Sequence, residues 1–284
     1  MVNKSVTNKE RKGAKESLYT VLSYNINSYE IIHPVVEQSE RARYIMVTDD
    51  PELKDESGTW EIVYDDGLTG SSFDRTLQVR YNPWRYTDDD IVIKIDGSIG
   101  INKSLDNLVD RFNKGDNGAS ANSMYDMSLM VHPTRNCFYD EYLAWVQTRG
   151  YSAEQANAIL GFLQQAEGYP VKDFKGLAQL CFWIQRRNRL NEDVNRLTYA
   201  WCKYFGDKNS QIERVDQITA SYVIQKYFGM AKIMFVDQRM IQSDYMTWYA
   251  HNSNQAFNPI EPKQMTEPYW LNKRLHNVVR PQDL

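Results

Sequence analysis

Short runs of β-branched and aromatic residues alternate along the chain with segments of helical spacing. Leu18 to Tyr24 opens the apolar pattern as a first strand, after about fifteen polar and charged residues that read as an arm. Arg43 to Thr48 and Trp60 to Tyr64 follow as strands, each ending in acidic or turn-forming residues. Phe73, Leu77 and Arg80 place a helix over Ser72 to Tyr81, Pro83 stops it, and Ile91 to Ile95 forms the next strand. Helices are then predicted over Ser104 to Asn113, Phe138 to Arg149, Ala153 to Glu167, Glu192 to Phe205 and Asp216 to Tyr227. Strands are predicted at Met127 to Val131 and Lys232 to Val236, and Gly176 to Asn188 reads equally as strand or buried helix. The residues from Asn252 onward carry several prolines and little periodicity, and read as an extended tail that wraps the domain or covers a site.

This alternation predicts an α/β domain over residues 17–250, with a mostly parallel central sheet flanked by helices, an arm at 1–16 and a tail at 251–284. Such sheets bind ligands outside the carboxyl ends of their strands, which directs attention to Thr48, Asp49, Asp50, Asp65 and Asp96. Carboxylates there can hold a divalent cation or accept from sugar hydroxyls; equally, they can do no more than make turns.

Composition narrows the chemistry. The formal net charge of −4 speaks against a surface given over to nucleic acid. Three cysteines, Cys137, Cys181 and Cys202, match neither a disulfide framework nor a paired metal motif, so a reducing, cytoplasmic setting is expected. No apolar run follows the basic N-terminal residues, and none elsewhere reaches the length of about 18 residues that a membrane span needs. No G-x-G-x-x-G follows the first strand, which weakens a nicotinamide-dependent reading.

The most informative stretch is Thr76 to Ile101, where a basic helix and a proline turn precede a strand ending in Ile95-Asp96-Gly97-Ser98-Ile99. With Arg80 and Pro83, it resembles the glycosyltransferase-like domains of plant mucilage and pectin-related proteins and of bacterial polysaccharide loci. Val47 to Asp50 with Trp60, His132 to Glu141, Gly176-Leu177 and Asp216 to Val223 match further pieces of that family in order. The resemblance implies a GT-A-like Rossmann domain using a nucleotide-sugar donor, with the Asp96-Gly97-Ser98 turn in the place of an Asp-x-Asp motif. It implies a divalent cation, Mn²⁺ or Mg²⁺, on Asp96, although Ser98 replaces the second carboxylate.

On this reading Asp96 and Asp216 are the catalytic candidates. Asp216 faces the anomeric centre, as a base in an inverting enzyme or a stabiliser of oxocarbenium character in a retaining one; the alternative is a helix cap, with Glu213 as substitute. Thr48, Asp49, Arg75, Arg80, Lys94, Gly97 and Ser98 are expected at the donor. Arg75 and Arg80 lie on the helix before the motif, and Lys94 shares a face with Asp96 and either pairs with it or touches substrate. His132, Arg135, Glu141, Arg187 and Gln217 are expected at the acceptor, and His251 is a candidate late metal ligand.

The acceptor is expected to be a hydroxyl on a glycan or lipid-linked glycan. The Arg186 to Arg189 cluster, the basic arm and aromatic residues able to stack on bases, such as Trp84, Trp183 and Trp201, keep open a hydroxylated base in phage DNA. A noncatalytic module that binds a nucleotide or glycan is the competing class.

Overall fold

The computed structural model describes residues 18–115, 124–132, 135, 137–148, 152–167, 177–208, 216–228, 231–237, 241–256 and 278–279. Its main sheet contains β1 (Tyr19–Asn25), β2 (Ala42–Thr48), β3 (Glu61–Tyr64), β4 (Ile91–Ile95), β6 (Met127–Val131), β7 (Ala178–Gln179), β8 (Phe182–Arg186), β9 (Ile233–Val236) and β11 (Val278–Val279). A separate two-stranded ribbon pairs β5 (Ile99–Ile101) with β10 (Met246–Trp248). The helices are α1 (Ser72–Arg80), α2 (Asp106–Lys114), α3 (Phe138–Thr148), α4 (Ala153–Glu167), α5 (Arg189–Lys208) and α6 (Asp216–Tyr227).

The strand order is β11-β9-β6-β8-β4-β1-β2-β3, with β7 also on β6. β1 to β4 run parallel, as do β6, β9 and β11, while β8 runs antiparallel to both β4 and β6. The expected mostly parallel α/β sheet is therefore present, with one reversed strand in its middle. β4 is buried along its whole length because helices cover both faces, which is why Ile91 to Ile95 reads as a continuous apolar run. Ile91, Ile93 and Ile95 pack with Leu108, Val109 and Phe112 of α2, and Val92 packs with Val79 of α1 on the opposite face. The larger core beyond α1 joins Leu77, Trp183, Phe205, Tyr222 and Val223.

Two features of this sheet position the cleft. The chain leaves β1 for β2 and β3 on one side and returns to β4 on the other, so the topological switch point lies between β1 and β4. β7 and β8 are one interrupted strand: Met130 faces Gln179 but Met127 faces Gln185, which leaves three extra residues on that side. The resulting bulge at Leu180 and Cys181 turns Gln179 to Cys181 toward the ends of β1 and β4.

Predicted boundaries agree with the observed ones within a few residues for β1 to β4, β6, β9 and all six helices. The segment left open between strand and helix is β7 and β8. β5, β10 and β11 were not predicted, since two or three residues carry no readable period. Among the described residues no helix is long and apolar enough to cross a membrane. The arm at 1–16, Glu213, Gly176 and most of the tail lie outside the described residues. Truncating Ile93, which has no exposed surface in the central strand, to alanine is expected to cost about 2–5 kcal/mol in urea unfolding with an unchanged denaturant slope.

Candidate active site

A cleft of about 790 Å³ opens outside the carboxyl ends of β1 and β4. Its floor is an ion-paired cluster. Arg80, at the end of α1 and largely buried, reaches Asp216 with Nη1 and Asp96 with Nη2. The Tyr24 hydroxyl, at the end of β1, donates to the same Asp96 Oδ1 over 2.6 Å. Burial pushes the Tyr24 phenol well above its ordinary range, so it remains a donor at any working pH. Arg80 and Asp216 stand 136 positions apart in sequence, and the fold brings them together because α6 begins at the cleft and α1 ends there.

Each position follows from local sequence. Ser71 and Asp74 form a reciprocal capping box that starts α1 and sets its register. The side chains of Val92, Lys94 and Asp96 alternate onto the face that carries α1. Gly97 is required by close approach: a Cβ there would come within 2.5 Å of the Tyr24 carbonyl oxygen. Gly100 allows a second approach, since its Cβ would meet the Tyr249 ring at 2.9 Å. Tyr249 stacks on His33 with ring centroids 3.9 Å apart, which docks the segment after β10 as one wall of the cleft.

Of the residues expected at the donor, Arg80, Asp96, Gly97 and Ser98 line the cleft. Thr48, Asp49 and Arg75 stand behind it. Asp49 pairs with Arg75 and accepts from the Asn27 amide over 2.6 Å, while Asp50 accepts from the Ser28 hydroxyl over 2.5 Å and its amide donates to Thr48 Oγ1. These bonds hold Asn27 and Ser28 at φ values of 60° and 48°, a left-handed conformation that side chains resist. Their loop lines the cleft, so Thr48, Asp49 and Arg75 buttress it rather than contact a ligand. Asp65 is held by Arg85 and Tyr86 and belongs to the turn after β3.

Lys94 corrects its expected place. It shares the face of Asp96 but is buried one layer below, donating to the Arg80 carbonyl over 3.1 Å, with its ammonium 3.7 Å from the centre of the Trp183 ring. Burial, with the Arg80 charge above it, holds its pKa well below the ordinary lysine range.

Among the acceptor candidates only Gln217 lines the cleft, beside Asp216 in the first turn of α6. His132, Arg135 and Glu141 bond to one another instead: the Arg135 amide donates to His132 Nδ1, and its guanidinium pairs with fully buried Glu141. They fasten the connection from β6 to α3. Arg187 lies at the opposite end of the strands, because β8 runs antiparallel and its last residues face Ile91 at the beginning of β4. There its amide donates to the Asp90 carbonyl, Arg186 is bonded to Asn113, and Arg189 pairs with Asp193.

His251 lines the cleft and bonds Glu30 through Nδ1 at 2.5 Å, and Glu30 also accepts from the Asn252 amide. His251 is thus a clamp across the rim. Among the described residues no group of three His, Cys, Asp or Glu side chains is placed to hold a metal ion. The cleft walls nevertheless carry Glu30, Asp96 and Asp216 against the single guanidinium of Arg80. That acidity suits a divalent cation arriving with phosphates, a type of site that needs only one or two carboxylates from the protein. Both bonds on Asp96 fall on Oδ1, so Oδ2 is the oxygen offered to such a ligand.

Tyr24, Glu30 and Gln179 also line the cleft and were missed by sequence reasoning. Tyr24 lay within reach of the strand-end rule, since it stands at the carboxyl end of β1; Glu30 and Gln179 had no signal. Lys94 yields a test. Its folded pKa lies below the unfolded value, so between the two the unfolded chain binds more protons and stability rises with pH. Lys94→Met is expected to be more stable than wild type at neutral pH and to lose that rise toward about pH 10, as read by urea unfolding across pH. No protein-family model matches the chain and no curated protein matches it, so the chemistry of the cleft itself has to carry the function.

Proposed function

We propose that the chain is a glycosyltransferase that moves a sugar from a nucleotide-sugar donor to a hydroxyl acceptor, using the cleft between the ends of β1 and β4. The observation that carries this reading is the joining of Asp96, Arg80 and Asp216 at the cleft floor. The strand-ending Asp-Gly-Ser motif, a buried arginine and a distant helix-opening aspartate meet at the switch point where such sheets bind nucleotides. The resemblance to glycosyltransferase-like domains assigned the same three residues, and the mostly parallel α/β sheet is compatible with the GT-A type.

In the proposed reaction the bond between the anomeric carbon and the diphosphate oxygen breaks, its electron pair leaving with the diphosphate. The acceptor oxygen bonds to the anomeric carbon and gives up its proton. Asp96 is held rigid by Tyr24 and Arg80 and presents Oδ2 toward the donor phosphates. Asp96 would hold a divalent cation, Mn²⁺ or Mg²⁺, together with those phosphates, and the cation would supply neutralisation of the leaving group. Asp216 takes the place facing the anomeric carbon, either receiving the acceptor proton or stabilising positive character at that carbon. The anomeric configuration of the product separates these two roles. Arg80 keeps both carboxylates within the cleft and lies close enough to lean on charge that develops between them.

A second reading, a noncatalytic nucleotide- or glycan-binding module, draws on the same cluster: Arg80 occupies both carboxylates, as in a site built only to bind. Hydrolysis of a panel of nucleotide sugars, with and without Mn²⁺, distinguishes the two. One donor class is expected to raise the melting temperature and to be hydrolysed slowly, with hydrolysis about 100-fold lower in Asp96→Ala and Asp216→Asn. Stabilisation by a donor that stays intact in the wild type sinks the transferase reading and favours the module.

A further inference from the structure

Two amides are among the polar side chains of the cleft that neither the ion-paired cluster nor the rim clamp uses. Gln179 stands on β7 just before the bulge, and Gln217 stands in the first turn of α6. The two elements are joined directly: the Ala178 amide donates to the Ser221 hydroxyl over 3.0 Å. Gln217 lies one helical turn before Ser221 on the same side of α6, and Gln179 follows Ala178, so both amides arrive at the cleft beside Asp216. In each, Oε1 is buried without a hydrogen-bond partner. An orphaned amide oxygen is unfavourable, and an amide turned to the cleft accepts from one hydroxyl through its oxygen while its nitrogen donates to another.

Charge limits what can sit there. The charged side chains of the cleft walls are Glu30, Asp96 and Asp216 against Arg80, with His251 bonded to Glu30. Arg80 is engaged by both aspartates. An anionic sugar beside Asp216 would meet carboxylates and amides, and among the described lining residues there is no lysine or unengaged arginine to receive it. A neutral sugar offers hydroxyls, which match two amides and a carboxylate.

From this we infer that Gln179 and Gln217 form the subsite for the transferred sugar, and that this sugar is a neutral hexose rather than a uronic or other acidic sugar. The inference rests on the transferase reading and specifies its substrate class. Gln179 and Gln217 act as specificity-determining residues, and Asp96 and Asp216 keep their assigned roles.

Matched donors test it. Each nucleotide is supplied with a hexose and with the corresponding hexuronic acid, as in UDP-glucose and UDP-glucuronate or GDP-mannose and GDP-mannuronate, pairs that differ only at C6. With wild-type protein and Mn²⁺, the hexose donor is expected to be hydrolysed at least tenfold faster than its acid partner. Gln179→Ala and Gln217→Ala, each verified as folded by thermal unfolding, are expected to lower hexose turnover about tenfold, the effect of one lost hydrogen bond. They should leave stabilisation by the free nucleoside diphosphate unchanged. Equal or faster turnover of the acid donor overturns the neutral-sugar inference and leaves the transferase reading intact. Hexose turnover unchanged in both variants overturns the subsite. If no donor of either kind is turned over, the transferase reading fails and the inference fails with it.

Discussion

The guanidinium of Arg80, held between Asp96 and Asp216, is the constraint on which the site depends. It ties the end of α1 to the end of β4 and to the start of α6, elements that come from distant parts of the chain. Arg80 and Asp216 are about nine-tenths withdrawn from solvent, so removing Arg80 leaves the buried Asp216 charge uncompensated, a loss of about 3–5 kcal/mol. Well-packed apolar residues would hold the same elements together at no such risk. A buried arginine with two carboxylates and a phenol around it is therefore not what stability alone would select. Lys94 strengthens the point: an ammonium buried beneath that guanidinium opposes folding, and its contacts are a carbonyl, an amide oxygen and aromatic rings rather than an acid.

The cleft above this cluster comes from three separate departures from a regular sheet. The reversal of strand order between β1 and β4 leaves a crevice that no crossover connection fills. The bulge between β7 and β8 bends one strand so that Gln179, Leu180 and Cys181 reach the crevice instead of continuing the ladder. The ribbon of β5 and β10 then carries Trp248 to His251 over the opening, where Tyr249 stacks on His33 and Glu30 binds His251 and the Asn252 amide. Glycine at 97 and 100 permits both close approaches.

Much of this was legible in the sequence, for identifiable reasons. β1, β2 and β4 are buried on both faces or nearly so, and their continuous apolar runs bounded by turn residues leave little ambiguity. Asp96, Gly97 and Arg80 stand out because a motif and a strand end coincide there. What the sequence hid depends on direction and distance. Arg187 looked like part of a basic site, but nothing local in Phe182 to Arg186 states that β8 runs backwards and so delivers its basic end to the far end of the strands. Lys94 was placed on the right face and at the wrong depth, since alternation specifies a face and not the layer that Arg80 occupies above it. Asp49 and Arg75 were assigned to a ligand and instead hold the strained loop at Asn27 and Ser28. Gln179 sits in a two-residue strand created by a bulge, which no periodicity can announce.

The charge balance of the cleft binds these observations together. Three carboxylates against one guanidinium leave the lining acidic. Under the proposed reaction the bridging guanidinium serves both ends of the transfer. As the diphosphate departs it gathers negative charge beside Asp96, and the guanidinium, already within reach, shifts its weight from Asp216 toward that charge. One arginine shared between two aspartates thus stands beside both ends of the proposed transfer, whether Asp216 receives the acceptor proton or stabilises positive character at the anomeric carbon. Two separate ion pairs would not join those ends, which gives a physical reason for Arg80 to bridge both carboxylates.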